Sequence, residues 1–382
     1  MKRPNTSFMF RSQEVERAQN NLSAGRSILI VGLRRIGKSW LMAEVGARLE
    51  GAGREVIWLD VQDLSEPGHF YQELLGALPK DWGNKLIASI AHARTMPTRL
   101  LNSIKEHFGK ISVGGQGAEF RQSLTDYAGP LSAAIEKIIA QDGAAPVLVI
   151  DELPFFLENL LKKGYTPEDI RLLLATLRKW RESGLTMLIG GSISLEHLLE
   201  SIQVPQTVLG GLKPVRVHPF SPDEARQFLL AQASEHARAF LDEATCSLIL
   251  ERIPDHIPFL LGIVLDNFHA IHAREELDAF LANDVLPEIH RTFFIQFDER
   301  LSNRFDDEEQ KMVKMLLNHL CLSCEASLAD FESLPLPHPG KLGAVLAKMQ
   351  RDDFVVVTPE MRYRFSLELL RRWWCGRRGI TA

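Results

Sequence analysis

Gly32-Leu33-Arg34-Arg35-Ile36-Gly37-Lys38-Ser39 is the densest chemical pattern in the chain. It is a GxxxxGK[ST] arrangement, in which glycines let backbone N–H groups turn inward around phosphate oxygens. Lys38 is then placed to reach β- and γ-phosphates, and the Ser39 hydroxyl to sit on Mg²⁺. Trp40 heads the segment that follows, where a helix N-terminus adds its positive dipole end. Such a loop needs a second carboxylate for the metal at the end of another buried strand. Asp151-Glu152, directly after Pro146–Ile150, supplies it. Asp151 would hold Mg²⁺ through water, and Glu152 would orient or deprotonate an attacking water. The plainer reading of an acidic pair after a strand is a cap for the next helix.

The elements that must position these groups follow from periodicity. Ile28–Val31 reads as a buried parallel strand, and 40–49 as a helix with apolar residues three and four apart. Further strands are expected at 55–60, 185–189 and 215–217, with a helix at 167–182. Alternating strands and helices imply an α/β fold with a parallel sheet, its ligand at the strands' carboxyl ends. Ser192 follows the fourth strand, either near the γ-phosphate or as a serine in a tight turn.

Several patterns carry no such chemistry. Ser112–Gln116 looks a little like a transporter-ATPase signature, but an extra residue interrupts it. Cys321-Leu-Ser-Cys324 has metal-ligand spacing without a second pair, so a core or surface role is expected rather than zinc. The interval between Lys38 and Asp151 is long, with the excess at about 78–130. It is read as a helical insertion with a glycine-containing hairpin at 111–120. Residues 80–110 carry Lys80, Lys85, Arg94, Arg99, Lys105 and Lys110 against Asp81 and Glu106, either a partner-binding face or a solvated one.

The chain has 382 residues, 45% of them hydrophobic and 24% charged, enough for two or three domains with real cores. Forty-four basic against 49 acidic residues leave a formal charge of −5, which excludes a protein basic throughout but not a local basic patch. Four cysteines exclude a disulfide scaffold and fit a reducing cytoplasm. Apolar runs such as 259–265 are far short of the roughly 20 residues that span a bilayer. The N-terminus lacks the apolar stretch of a secretory signal. A cytoplasmic protein with no membrane association is expected.

In order along the chain, these residues resemble the prokaryotic STAND-like and archaeal-type P-loop ATPases of the AAA+/ASCE division. Phe8-x-x-Arg11-x-x-Glu14 is similar to that group's F-x-G-R-x-x-E opening, with Phe10 where the family has Gly. GLRRIGKS resembles G-x-R-R-x-G-K-[ST], VLVIDELPFFL its hydrophobic-D-E-hydrophobic-P strand end, and LIGGSIS its strand ending in Gly-Ser. PVRVHPFSPDEARQFL resembles the entry to a helical lid. His256-Ile257-Pro258 is a partial counterpart of the G-x-P near adenine, with His for Gly. The resemblance implies bound ATP and Mg²⁺, and nucleotide contacts from Arg11 and Pro258. It also implies a core at 1–220, a helical lid at 221–300 and a C-terminal winged helix at 301–382. The residues support the last independently: an amphipathic helix at 307–320, a short helix near 327–331, a third at 341–350, and a hairpin at 354–357 and 362–365. A terminal helix follows at 367–374.

Arg362, Arg364, Arg371, Arg372, Arg377 and Arg378 stand against Glu368 alone in 362–378. They could grip nucleic-acid phosphates or form a solvated, ion-paired face. Arg34 or Arg35 could contact phosphate or reach a neighbouring subunit. The main functional expectation is an ATP-hydrolysing, nucleotide-controlled switch regulating a protein partner, in antiviral defence or transcriptional regulation. The alternative is a DNA-transaction ATPase that forms ATP-dependent homo-oligomers on DNA, of the loader or transposition-regulator type. A P-loop kinase is weaker, because it leaves the winged helix unexplained.

Overall fold

The computed structural model describes residues 10–78, 82–85, 132–133, 135–136, 138–139, 145–191, 194–233, 240–271 and 273–380. Most of the expected insertion at 78–130, the hairpin at 111–120, Ser112–Gln116, Phe8 and Ser192 lie outside those residues. The chain divides into two units, Met1–Val217 and His218–Ala382.

The first unit is built on five parallel strands: β1 (Ile28–Val31), β2 (Val56–Asp60), β3 (Val147–Asp151), β4 (Thr186–Ile189) and β5 (Lys213–Arg216). Their order across the sheet is β2-β3-β4-β1-β5. VLVID is buried along its whole length, as a strand covered on both faces must be. The helices are α1 (Ser12–Ser23), α2 (Lys38–Gly51), α3 (Pro67–Ala77), α4 (Leu153–Lys162), α5 (Pro167–Glu182) and α6 (Leu195–Ser201). A Thr166–Asp169 capping box and Pro167 fix the start of α5 where the sequence places it. Phe70 stacks on Phe156 at 5.7 Å and Tyr71 meets Trp180 edge-on at 6.4 Å. Together these rings tie α3, α4 and α5 into one apolar core.

The second unit opens with α7 (Pro222–Gln232), α8 (Glu243–Arg252) and α9 (Pro258–Asn267). A longer helix over 277–304, α10, alternates α and π turns. Next come α11 (Asp307–Ser323), β6 (Glu325–Ala326), α12 (Leu328–Glu332), α13 (Leu342–Arg351), β7 (Val355–Val357), β8 (Tyr363–Phe365) and α14 (Glu368–Arg377). The three strands form an antiparallel sheet in the order β6-β8-β7. Trp374 is buried and donates to Asn318 Oδ1 at 2.9 Å, and Trp373 stacks on Phe294 at 5.5 Å.

One cysteine bond was not expected from the sequence. Cys321 is joined to Cys375, linking α11 to α14, while Cys324 is an exposed free thiol. The two bonded residues lie 54 apart in sequence, so local spacing could not show the bond, while buried Cys321 and exposed Cys324 take the core and surface roles expected. Among the described residues no helix is long and apolar enough to cross a membrane.

Candidate active site

The loop between β1 and α2 takes positive φ at three positions, one of them Gly32 at 155°. Gly37, the N-cap of α2, has φ 97°, and Arg35 has φ 63°. Glycine adopts the first without penalty, whereas the second costs a non-glycine residue about 1 kcal/mol. Ile36 between them is fully buried and anchors the loop. Lys38 is 6% exposed and its Nζ donates to Gly32 O at 2.9 Å and Leu33 O at 2.8 Å. The ammonium thus lies in the loop's own concavity, held by carbonyls that a phosphate oxygen would supplement or replace. Arg34 and Arg35 are exposed beside one another, and partial burial together with the Arg34 charge lowers Arg35's proton affinity. Trp40 stands 40% exposed one residue beyond Ser39.

Arg11, expected to contact nucleotide, is held against the phosphate loop. It is 2% exposed, its Nη2 donates to Ile36 O at 2.8 Å, and its Nη1 lies 3.9 Å from Glu14 Oε1. The side chain touches the loop's backbone.

Across the sheet, Asp151 ends β3 and is 4% exposed. Burial raises its pKa, opposed by a hydrogen bond from the Ser39 hydroxyl and reinforced by the Glu152 charge. The Glu152 N–H donates to its Oδ1 at 3.0 Å, lowering the pKa somewhat, and the Asp60 charge raises it. The two residues expected to hold a metal are therefore in contact. Both offer the hard oxygen donors Mg²⁺ prefers, and a bound cation would stabilise the buried carboxylate. Glu152 is the N-cap of α4 with φ 60°, a non-glycine residue in left-handed backbone immediately after Asp151. Strained positions of this kind gather at functional sites.

The glycines after β4 explain how these carboxylates fit. A Cβ on Gly190 would lie 2.3 Å from Met42 Sδ and 3.4 Å from Asp151 Oδ1. One on Gly191 would lie 2.4 Å from Pro154 Cδ and 3.6 Å from Glu152 Oε2. Only glycine lets this strand end approach the carboxylates so closely.

Asp60 was missed by sequence reasoning. It ends β2 in register with Asp151 and interacts electrostatically with it. Its signal was available, since VIWLD repeats the pattern of an apolar strand closed by aspartate.

The remaining candidates are placed differently. Pro258 begins α9 in the second unit, buried, beside Ile257. Two of the C-terminal arginines face carboxylates outside the local sequence window, and two share the one inside it. Arg362 lies 3.7 Å from both Glu325 and Asp330, and Arg377 pairs with Asp298. Arg371 and Arg372 share Glu368 at 2.8 and 3.0 Å. Arg378 lies 4.0 Å over the Trp374 ring and Arg377 5.0 Å over Trp373. Arg364 is exposed on β8, in register with Glu325 and Val356. On α13, Lys348 binds Glu309 at 2.7 Å, and Lys341 at its head lies 3.9 Å from Asp306.

No family model matches the chain, and no curated protein matches it in sequence. Solved structures do. A Walker-type ATPase of Pyrococcus abyssi superposes with a TM-score of 0.59 at 20% identity, covering 95% of both chains. The Aeropyrum pernix ORC2 protein, solved in ADPNP–ADP complexes, gives 0.52 at 13% identity, covering 98% of this chain and 96% of that one. With the five-stranded parallel sheet, these likenesses show the AAA+ P-loop ATPase fold.

Proposed function

We propose that the chain is a Mg²⁺-dependent ATPase of the DNA-transaction type. Its first unit would bind and hydrolyse ATP, and a C-terminal winged helix at 301–382 would engage DNA. The observation that carries the ATPase reading is the contact of Ser39 with buried Asp151, at the end of a loop whose lysine already lies in the phosphate cradle. Gly32 to Trp40 would surround the phosphates. Lys38 would move from the Gly32 and Leu33 carbonyls onto β- and γ-oxygens. Ser39 and, through water, Asp151 would hold Mg²⁺, which when bound neutralises charge on the transferring phosphoryl group. Glu152 would accept the proton of the attacking water. Arg34 and Arg35 would contact phosphate or reach a neighbouring copy in an ATP-dependent oligomer. Residues 221–300 would act as the lid, and Pro258 would lie near the base. Ser192 would sense the γ-phosphate.

The DNA-transaction reading is favoured over a pure protein switch because the likeness to the ORC2 protein covers 98% of this chain, the C-terminal module included. A cytoplasmic location fits it. One observation favours the second reading, a nucleotide switch for a protein partner in defence or transcription. Arg362, Arg371, Arg372 and Arg377 are all paired with carboxylates of their own unit. Fluorescence anisotropy with duplex DNA at low salt, with a non-hydrolysable ATP analogue or ADP, separates the two. The DNA reading expects salt-dependent binding that Arg364→Glu weakens several-fold. No binding at low salt in either nucleotide state leaves the protein-switch reading.

A further inference from the structure

We infer that Arg11 is a positioning residue for the phosphate-binding loop: from behind the loop, its guanidinium fixes the Ile36–Gly37 peptide so that the Gly37 N–H faces a bound phosphate. This rests on the ATPase reading and assigns a residue outside the loop to its phosphate subsite.

The argument begins with peptide geometry. In a planar trans peptide the carbonyl and the following N–H point in opposite directions. Arg11 Nη2 holds Ile36 O at 2.8 Å, so the Gly37 N–H must point away from the guanidinium. Among the described residues that N–H has no acceptor, although the carbonyl of the same peptide is tightly bound. A cation on the carbonyl also polarises the amide, making its N–H a stronger donor. The loop therefore presents a pre-aimed donor beside Lys38, where an anion completes the arrangement.

The surroundings show that this contact is built into the fold. Arg11 is 2% exposed, and a guanidinium so buried is tolerated only when paired. It is the N-cap of α1 and takes φ 63°, ψ 36°, left-handed backbone that a non-glycine residue adopts only when its surroundings hold it there. Val15, Ala18 and Leu22 bury the inner face of α1, and Val15 N–H donates to Arg11 O at 3.0 Å. The helix before β1 thus sets the conformation of the loop after it.

The test is calorimetric titration of the full chain with Mg²⁺-free pyrophosphate and with Mg·ATP, for wild type, Arg11→Ala, Arg11→Lys and Val15→Ala. The last loosens α1 without touching Ile36 O. Arg11→Ala should weaken pyrophosphate and ATP binding about tenfold or more. Arg11→Lys should recover part of the loss, millimolar guanidinium should restore binding to Arg11→Ala, and Val15→Ala should lower Tm with affinity retained. Equal affinity in wild type and Arg11→Ala overturns the inference, as does an equal loss in Val15→Ala. Should Arg11→Ala not fold, undiminished pyrophosphate affinity in Arg11→Lys overturns it. A wild type that binds neither ATP nor pyrophosphate overturns the ATPase reading itself.

Discussion

The phosphate loop and the C-terminal arginine-rich module are both basic in sequence, yet their cations meet opposite partners. In the loop, Arg11 and Lys38 are buried and donate to backbone carbonyls. Arg11 also lies 3.9 Å from the Glu14 carboxylate, so the loop's buried cations combine backbone contacts with a nearby opposite charge. In the module, Arg362, Arg371, Arg372 and Arg377 meet carboxylates of the same unit, Arg371 and Arg372 sharing Glu368. A count of arginines therefore says little about ligand binding. What sets the phosphate loop apart is that its buried cations contact the loop's own backbone carbonyls, whereas the module's arginines contact side-chain carboxylates.

The largest expected effect breaks the first half of this comparison. Lys38→Ala should weaken Mg·ATP binding on the order of a hundredfold or more, read by calorimetry. Retained affinity would mean that the lysine's two carbonyl contacts are its whole purpose. The second half is probed at Asp255, which accepts from Glu368 N at 3.0 Å and Leu369 N at 2.7 Å and so caps α14. Asp255→Ala should destabilise the second unit by about 1–2 kcal/mol, seen as a lower urea midpoint, with ATP affinity unchanged. Loss of ATP affinity with unchanged stability would reverse the assignment.

The smallest effect concerns Asp151. Its pKa in the folded chain lies above the ordinary carboxylate value, chiefly through burial. Between those two values the folded chain binds more protons than the unfolded one, so this group's contribution to stability falls as pH rises. Urea midpoints across the weakly acidic range should decline less with rising pH in Asp151→Asn than in wild type. Identical profiles would show that Asp151 is not held at a desolvation cost, as a carboxylate awaiting a cation would be.

The sequence made the loop, the Asp151–Glu152 pair and the parallel sheet legible because each is a local pattern with one mechanical explanation. Helix 167–182 was readable to the residue, since Thr166, Pro167 and Asp169 are adjacent signals for one N-terminus. What escaped is carried by contacts between distant positions. Arg377 finds Asp298 from 79 residues away, Asp255 caps a helix start 113 residues later, and Cys321 bonds Cys375 rather than joining Cys324 in a metal pair. Asp60 escaped for a different reason. It shares its strand-end pattern with Asp151, but only the β2–β3 register places the two side by side. Arg11 was visible by resemblance as a nucleotide residue, but its bond to the Ile36 carbonyl, 25 residues away, was not.

The central claim is that the first unit is a hydrolytic site in which binding and chemistry reside in different residues. It is tested most directly by measuring Mg·ATP affinity and steady-state turnover together in Glu152→Gln. The account predicts affinity close to wild type with turnover reduced by about 10²-fold or more, the magnitude expected on losing a general base. Turnover equal to wild type at equal affinity would contradict it.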